Sequence, residues 1–328
     1  MRAIVVENLG GPERLQERSV PEPAPAEDQV SITVEYAGVT FADVMDRRGW
    51  YGHRRDTPFV PGLEVYGTVR KPGGQVGDLR VGEPVVAFTT SGGYGDVAVA
   101  DRRLVVPVPR AFGHVGGAAL AAIPTIFATA HLVLKRLVRP RVGETILVHA
   151  AAGGTGGAVA ALASRERVRL IGTVGRASKI DVAKSFGYHH AVLRDGFGPR
   201  VRELTDGAGV DVVLETVGGH VQSSSFDMLT PTGRLIVMGN TAGFDGLRLT
   251  PRSILASNHG VLGFSLTRLA RSDPAAVTAA IVDCMSLLAD GAISIPGLKV
   301  VDRSEAAAVN RLLESGASTG KFVLKMAA

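Results

Sequence analysis

One cysteine, Cys284, stands in the 328-residue sequence. A single thiol excludes an internal disulfide and any Cys-rich zinc site, and it fits a reducing, cytoplasmic compartment. Aromatic residues make up only 5%, and the 36 Lys and Arg are scattered among 31 Asp and Glu. Without a basic stripe or interleaved stacking rings the composition argues against nucleic acid as partner, and the net charge of +5 favours an anionic small ligand. The N-terminus, "MRAIVVENLGG", lacks the apolar run and cleavage site of a secretory signal and reads as a strand ending in a turn. Uncharged stretches are scarce as well. Only 111–134 raises a membrane question, holding no Asp, Glu, Lys or Arg over a bilayer-spanning length. Its Gly, Ala, Thr, Pro124 and His131 fit helices buried at a domain junction better than a membrane span, so no membrane partner is expected.

What is present begins with length and texture. A chain of this size, 45% apolar, can bury two moderate cores. Up to about residue 120, short β-branched runs such as "QVSITVEYAGV", "EPVVAF" and "GDVAVADRRLVVPVP" are broken by Gly, Pro and Asp, as in an all-β unit. Beyond it, strands at "TILVHA", "RVRLIGTV", "HHAVL", "VDVVLET", "RLIVMG" and "GVLGFS" alternate with helical stretches around 156–165, 177–186, 197–205, 220–229 and 251–257. Six buried strands with intervening helices predict an α/β fold with a doubly wound parallel sheet. From Asp273, "DPAAVTAAIVDCMSLLADG" has the start and stop signals of a helix, and a small helix and two strands close the chain.

The turn after the first of those strands is glycine-rich. Against the dinucleotide fingerprint G-x-G-x-x-G it reads Ala151, Ala152, Gly153, Gly154, Thr155, Gly156, with alanine in place of the first glycine. Gly153 would let the backbone approach a pyrophosphate and Gly156 would let helix pack on strand, while the helix N-terminus offers N–H groups to the phosphates. One strand later, NAD enzymes usually carry Asp or Glu to hold the ribose hydroxyls. Here "GTVGRASK" offers Gly175, Arg176, Ser178 and Lys179, which suit a 2′-phosphate and make NADPH the expected cofactor. Two solvated cations opening a surface helix are the alternative.

These motifs, in the order "AAAGGTGG", "GTVGRASK", "VVLETVGG" and "GKFVLKM", resemble the quinone oxidoreductase branch of the medium-chain dehydrogenase/reductase superfamily, which includes enoyl reductases. "AGVTFADVMDRRGWYGHRRDTPFVPGLEVYGTV", "GGYGDVAV" and "IPTIFATA" extend the likeness over nearly the whole chain. The resemblance implies a GroES-like catalytic domain from 1–122 and 266–328, a Rossmann domain at 123–265, a ligand cleft at their junction and a homodimer. It also implies that Thr129, Val217, Gly239, Asn240, Thr241, Leu262 and Phe264 flank the cofactor, and that Arg194, where relatives have tyrosine, adds a third cation at the 2′-phosphate.

Zinc divides that superfamily. Its alcohol dehydrogenases hold zinc through Cys and His near segments where this chain has Thr40, Asp43 and Leu63, so no metal is expected and the histidines, His53, His114, His131 and His149, read as surface or loop residues. What remains is hydride transfer to a quinone or an α,β-unsaturated carbonyl. By resemblance Tyr51, in "RGWYGH", matches the proton donor of the family's enoyl reductases, with a ring that merely lines the cleft as the alternative. Thr40 stands where relatives have the asparagine that orients substrate or nicotinamide. Phe41, Trp50, Phe88, Tyr94 and Phe244 are the expected walls of an apolar substrate pocket. A dedicated natural-product enoyl reductase, and an NADPH-binding partner protein without turnover, are the competing readings. Glu215, in place of the usual Asp of "VLDxVGG", and Lys321, at a strand end, read as structural.

Overall fold

A computed structural model of the protein describes residues 1–50, 56–243 and 246–326, which divide into two compact units, Met1–Ala128 with Leu266–Ala328, and Thr129–Ser265. In the first unit β1 (Arg2–Val6) and β2 (Leu15–Ser19) pair antiparallel. The long strand β3 (Gln29–Val39) leads into α1 (Phe41–Arg48), and β4 (Glu64–Pro72), β5 (Pro84–Phe88), β6 (Val97–Asp101) and β7 (Val105–Pro107) follow. Sequence reading does not include α1. It starts because Thr40 is extended and its N–H donates to Asp43 Oδ2 over 2.7 Å in a capping box, and it ends at Gly49 with φ 74°.

The apolar stretch of the sequence is α2 (Gly117–Val138), long and apolar enough to cross a membrane, with 67% of its most apolar window packed inside the protein. The first unit ends within this helix rather than at 122/123. Ile123, Ile126 and Phe127 are still core residues of that unit, and the Cys284 thiol donates to Phe127 O over 3.7 Å.

In the second unit β8 (Thr145–Val148), α3 (Gly154–Ala163), β9 (Arg169–Val174), α4 (Ile180–Ser185), β10 (His190–Leu193), α5 (Phe197–Leu204), β11 (Val210–Glu215), α6 (Gly219–Phe226), β12 (Leu229–Val237), α7 (Pro251–Ser257) and β13 (Gly260–Gly263) alternate as the apolar runs predict. All pair parallel in the order β10-β9-β8-β11-β12-β13. Leu147, Ile171, Val213 and Leu235, one from each central strand, share a core on one face. The order reverses between β8 and β11, the kind of switch point at whose carboxyl strand ends open α/β sheets bind their ligands.

The chain then returns to the first unit through α8 (Leu266–Ser272), α9 (Pro274–Ala289), β14 (Lys299–Asp302), α10 (Ala306–Glu314) and β15 (Phe322–Lys325). Asp273 caps α9 by accepting from Ala276 N–H at 3.0 Å. The strand order β14-β15-β3-β4-β5-β7, with β6 on β3, makes the tail part of the N-terminal sheet.

Candidate functional site

At the carboxyl end of β8 the backbone turns through Ala150, whose φ of 55° supplies the left-handed step that the fingerprint's first glycine would provide. Gly153 is extended and caps α3. Gly156 lies against the turn: a Cβ there would meet Ala150 O at 2.6 Å and Ala151 Cα at 2.7 Å, so the helix approaches the strand only as glycine. The Tyr188 hydroxyl donates to Gly156 O at 2.9 Å. Ala152 is buried, while Gly153, Gly154 and Thr155 are partly open, and the first N–H groups of α3 have no helical carbonyl within reach. The arrangement suits an anion such as a diphosphate.

The neighbouring strand ends supply cations and unsatisfied donors. After β9 come exposed Gly175 and Arg176 and half-buried Lys179, with Arg194 arriving from β10 and no carboxylate in the turn. After β11, the Glu215 carboxylate accepts from Val217 N–H at 2.6 Å and Gly218 N–H at 2.9 Å, in the turn that leads into α6. Burial raises its pKa, against the lowering effect of those two amides. Val217 therefore spends its N–H inside the protein. After β12, Gly239 and Thr241 pack on the Thr216 backbone, Thr241 N–H donating to Thr216 O at 3.3 Å. Asn240 Nδ2 and Thr216 Oγ1 are buried there with no hydrogen-bond partner, as expected of groups that wait for a polar ligand. Thr216 is a residue that sequence reasoning missed. Leu262, in the edge strand β13, is exposed, Phe264 and Thr129 are half-buried, and Phe264 N–H donates to Val237 O at 2.9 Å.

His149 is no surface residue. It is buried between Thr173 Oγ1 and Ser225 Oγ, each 2.7 Å away, and packs edge-on against Phe197. Ser225 gives its proton to Val221 O, so His149 Nε2 carries the hydrogen and Nδ1 accepts from Thr173. Burial, aided by the charge of Arg194, pushes its pKa down to about 3 and keeps it neutral. His114 does match the loop reading, its ring nitrogens lying 3.1 Å from Ala111 O and 2.9 Å from Ala289 O.

In the first unit Thr40 is nearly enclosed, and its hydroxyl donates to Asp43 Oδ2 at 3.1 Å. Tyr94 donates to the same oxygen at 3.1 Å, while Asp43 Oδ1 is buried without a partner. Burial pushes the Asp43 carboxyl up to about 6. Nearby, Lys321 Nζ donates to Val39 O at 2.9 Å and to Glu64 Oε1, and Glu64 Oε2 accepts from Thr125 N–H at 2.7 Å. Both Lys321 and Glu64 are fully buried. Two expected pocket walls are thus core residues: Tyr94 is enclosed because its hydroxyl anchors to Asp43, and Phe88 because β5 is an inner strand. Phe41 is half-buried, and Trp50 is half-exposed under the Arg48 guanidinium, 5.4 Å from its ring. Tyr51, Phe244 and His53 lie outside the described residues. Among the described residues no three His, Cys, Asp or Glu side chains gather as metal ligands.

Comparison with known proteins agrees with this division. The alcohol dehydrogenase GroES-like domain family matches residues 26–119, and the zinc-binding dehydrogenase family matches 154–283. The chain is 32% identical to the quinone oxidoreductase of Rattus norvegicus over 81% of its own length and 80% of that protein. It is 34% identical, over 92% of its length, to highly-reducing polyketide synthase 1 of Aureobasidium melanogenum, of which it spans only 14%. The structure of Escherichia coli quinone oxidoreductase complexed with NADPH superposes with a TM-score of 0.88 at 26% identity, covering 99% of this chain and all of that one. With its antiparallel GroES-like unit and its Rossmann unit, the chain belongs to the quinone oxidoreductase and enoyl reductase branch of the medium-chain dehydrogenase/reductase superfamily.

Proposed function

We propose that the protein is an NADPH-dependent reductase that passes hydride, without zinc, to a quinone or to an alkene conjugated to a carbonyl. The observation that carries this reading is the end of β9, where Gly175, Arg176 and Lys179 stand in place of a ribose-binding carboxylate, beside the bare loop of Gly153 and Gly156. The NADPH complex of the E. coli relative supports the choice of cofactor. NADPH, when bound, supplies the hydride. The first amides of α3 hold the diphosphate, Arg176 and Lys179 the 2′-phosphate, and Asn240 Nδ2 and Thr216 Oγ1 are free to bond the carboxamide.

Thr40 enters in a role different from the amide it replaces. Its one proton is given to Asp43, so it offers a ligand a lone pair and not a donor. By the family resemblance Tyr51 is the residue that donates a proton or a hydrogen bond as negative charge builds on the substrate. Zinc independence rests on Thr40, Asp43 and Leu63, a donor set without the nitrogen or sulfur ligands that zinc prefers. The reading includes a small apolar substrate and a homodimer. An enoyl thioester is the second reading, favoured by the likeness to a polyketide synthase.

The test is NADPH consumption against a panel of quinones, enones and enoyl thioesters, before and after exhaustive chelation. Turnover faster with NADPH than with NADH and indifferent to chelation is expected, and strong selectivity for thioesters would favour the second reading. Tight NADPH binding without turnover on any member would leave only a binding protein.

A further inference from the structure

Arg194 is not placed like the other two cations. Arg176 and Lys179 open the helical stretch beyond β9, whereas Arg194 reaches over the strand ends. Its backbone N–H donates to Val174 O at 2.8 Å. A Cβ at Gly175 would lie 3.4 Å from Arg194 Nη2 and 3.7 Å from both Cζ and Nη1. Such similar distances mean that the guanidinium lays its flat face on Gly175, because an edge-on group would bring one nitrogen close and hold the rest away. The charge is also felt by His149 at the end of β8 and by Glu215 at the end of β11. The guanidinium makes no hydrogen bond or ion pair with a described residue.

We propose that Arg194 binds the adenosine half common to NADPH and NADH, stacking its free face on the adenine ring, and that recognition of the 2′-phosphate is left to Arg176 and Lys179. The inference rests on the dinucleotide reading above and changes the role of Arg194 within it. The guanidinium borders the open side of Gly175, and Arg194 is only half-buried, so its plane is available to a ligand ring in a way that a lysine ammonium cannot reproduce. A Cβ at Gly175 would only touch the guanidinium, whereas a branched side chain there would displace the stacked group.

Calorimetric titration with NADPH, NADH and ADP-ribose, none of which requires turnover, tests the assignment. Arg194→Ala should weaken all three about tenfold, the scale of a desolvated cation–π stack, and leave the NADPH to NADH affinity ratio unchanged. Arg194→Lys should lose as much as alanine, and Gly175→Val, which keeps the arginine but moves it, should lose most of it. Arg176→Ala should instead lower the ratio. A loss confined to NADPH, or full rescue by lysine, would return Arg194 to the 2′-phosphate and overturn the proposal. Unchanged affinity in both Arg194→Ala and Gly175→Val would do the same. Wild-type protein that binds none of the three would overturn the dinucleotide reading itself, whereas binding without turnover would leave the Arg194 assignment standing and remove only the reductase.

Discussion

In the β-rich unit Asp43, Asp46, Arg47, Glu64, Arg303 and Lys321 are all buried, whereas among the described residues of the nucleotide unit Glu215 is the only buried carboxylate, and His149, Thr173 and Ser225 form a neutral chain. The difference follows from what each unit has to join. The first is assembled from segments far apart in the chain, and its buried ions connect them: Lys321 of the tail binds Val39 and Glu64, and Arg47 of α1 binds Glu314 at 2.9 Å. The second is built from consecutive strand–helix steps whose parallel ladder already fixes the topology. Its polar groups tie neighbouring strand ends together, and its glycines leave the turn after β8 bare.

The largest expected effect is a break in the ion network. Lys321→Met leaves the Glu64 carboxylate buried without its ammonium and should destabilise the first unit by about 3–5 kcal/mol. Adding Glu64→Gln should recover most of the loss. Trp50, the one tryptophan, lies in this unit, so its fluorescence during urea unfolding reports the change.

pH separates the units in opposite directions. His149 is held neutral with a pKa of about 3, so its contribution is fully present above its unfolded value of 6.5 and is lost on acidification, costing about 3 kcal/mol by pH 4. Asp43, raised to about 6 from 3.8, contributes fully below 3.8, and that stability is lost as pH rises from there through 6, by about 3 kcal/mol at pH 7. Subtracting the stability profile of His149→Asn from wild type should expose the first slope, and Asp43→Asn the second. Two difference profiles of the same sign would contradict the burial of both groups in their neutral forms, a base in one unit and an acid in the other.

The smallest effect concerns the turn at Ala150. Ala150→Gly relieves about 1–2 kcal/mol of left-handed strain and, after the entropy that glycine adds to the unfolded chain, should stabilise the second unit by about 0.5–1 kcal/mol. A rise of a few degrees in the thermal midpoint of that unit would bear this out, and a fall would show that the turn is not strained.

How much of this was legible in the sequence varied with the range of the interaction. Most elements of the parallel sheet lie within two or so residues of their expected places, because local pattern determines them, but β12 begins at Leu229, five residues before the apolar run at Arg234 and inside the stretch expected to be helical. Gly153 and Gly156 were legible for the same reason. The helix α1 carries few apolar residues, yet its Thr40 and Asp43 form a capping signal that could have found it. Long-range pairs left no such trace: nothing near Lys321 in the sequence points to Glu64, and His149 resembles any other lone histidine until Thr173 and Ser225 are brought to it. The segments that the resemblance places at the cleft include Tyr94 and Phe88, yet a hydrogen bond to Asp43 encloses the first and an inner strand the second.

The central claim, hydride delivery from a site in the nucleotide unit to a conjugated carbon, is tested most directly by label transfer. NADPH carrying deuterium at the transferable position of C4 is mixed with the protein and the best enone or enoyl thioester of the panel, and the product is read by NMR. The account predicts deuterium at the β-carbon and solvent hydrogen at the α-carbon. Consumption of NADPH with no label at the β-carbon, or tight binding with no product, would contradict it.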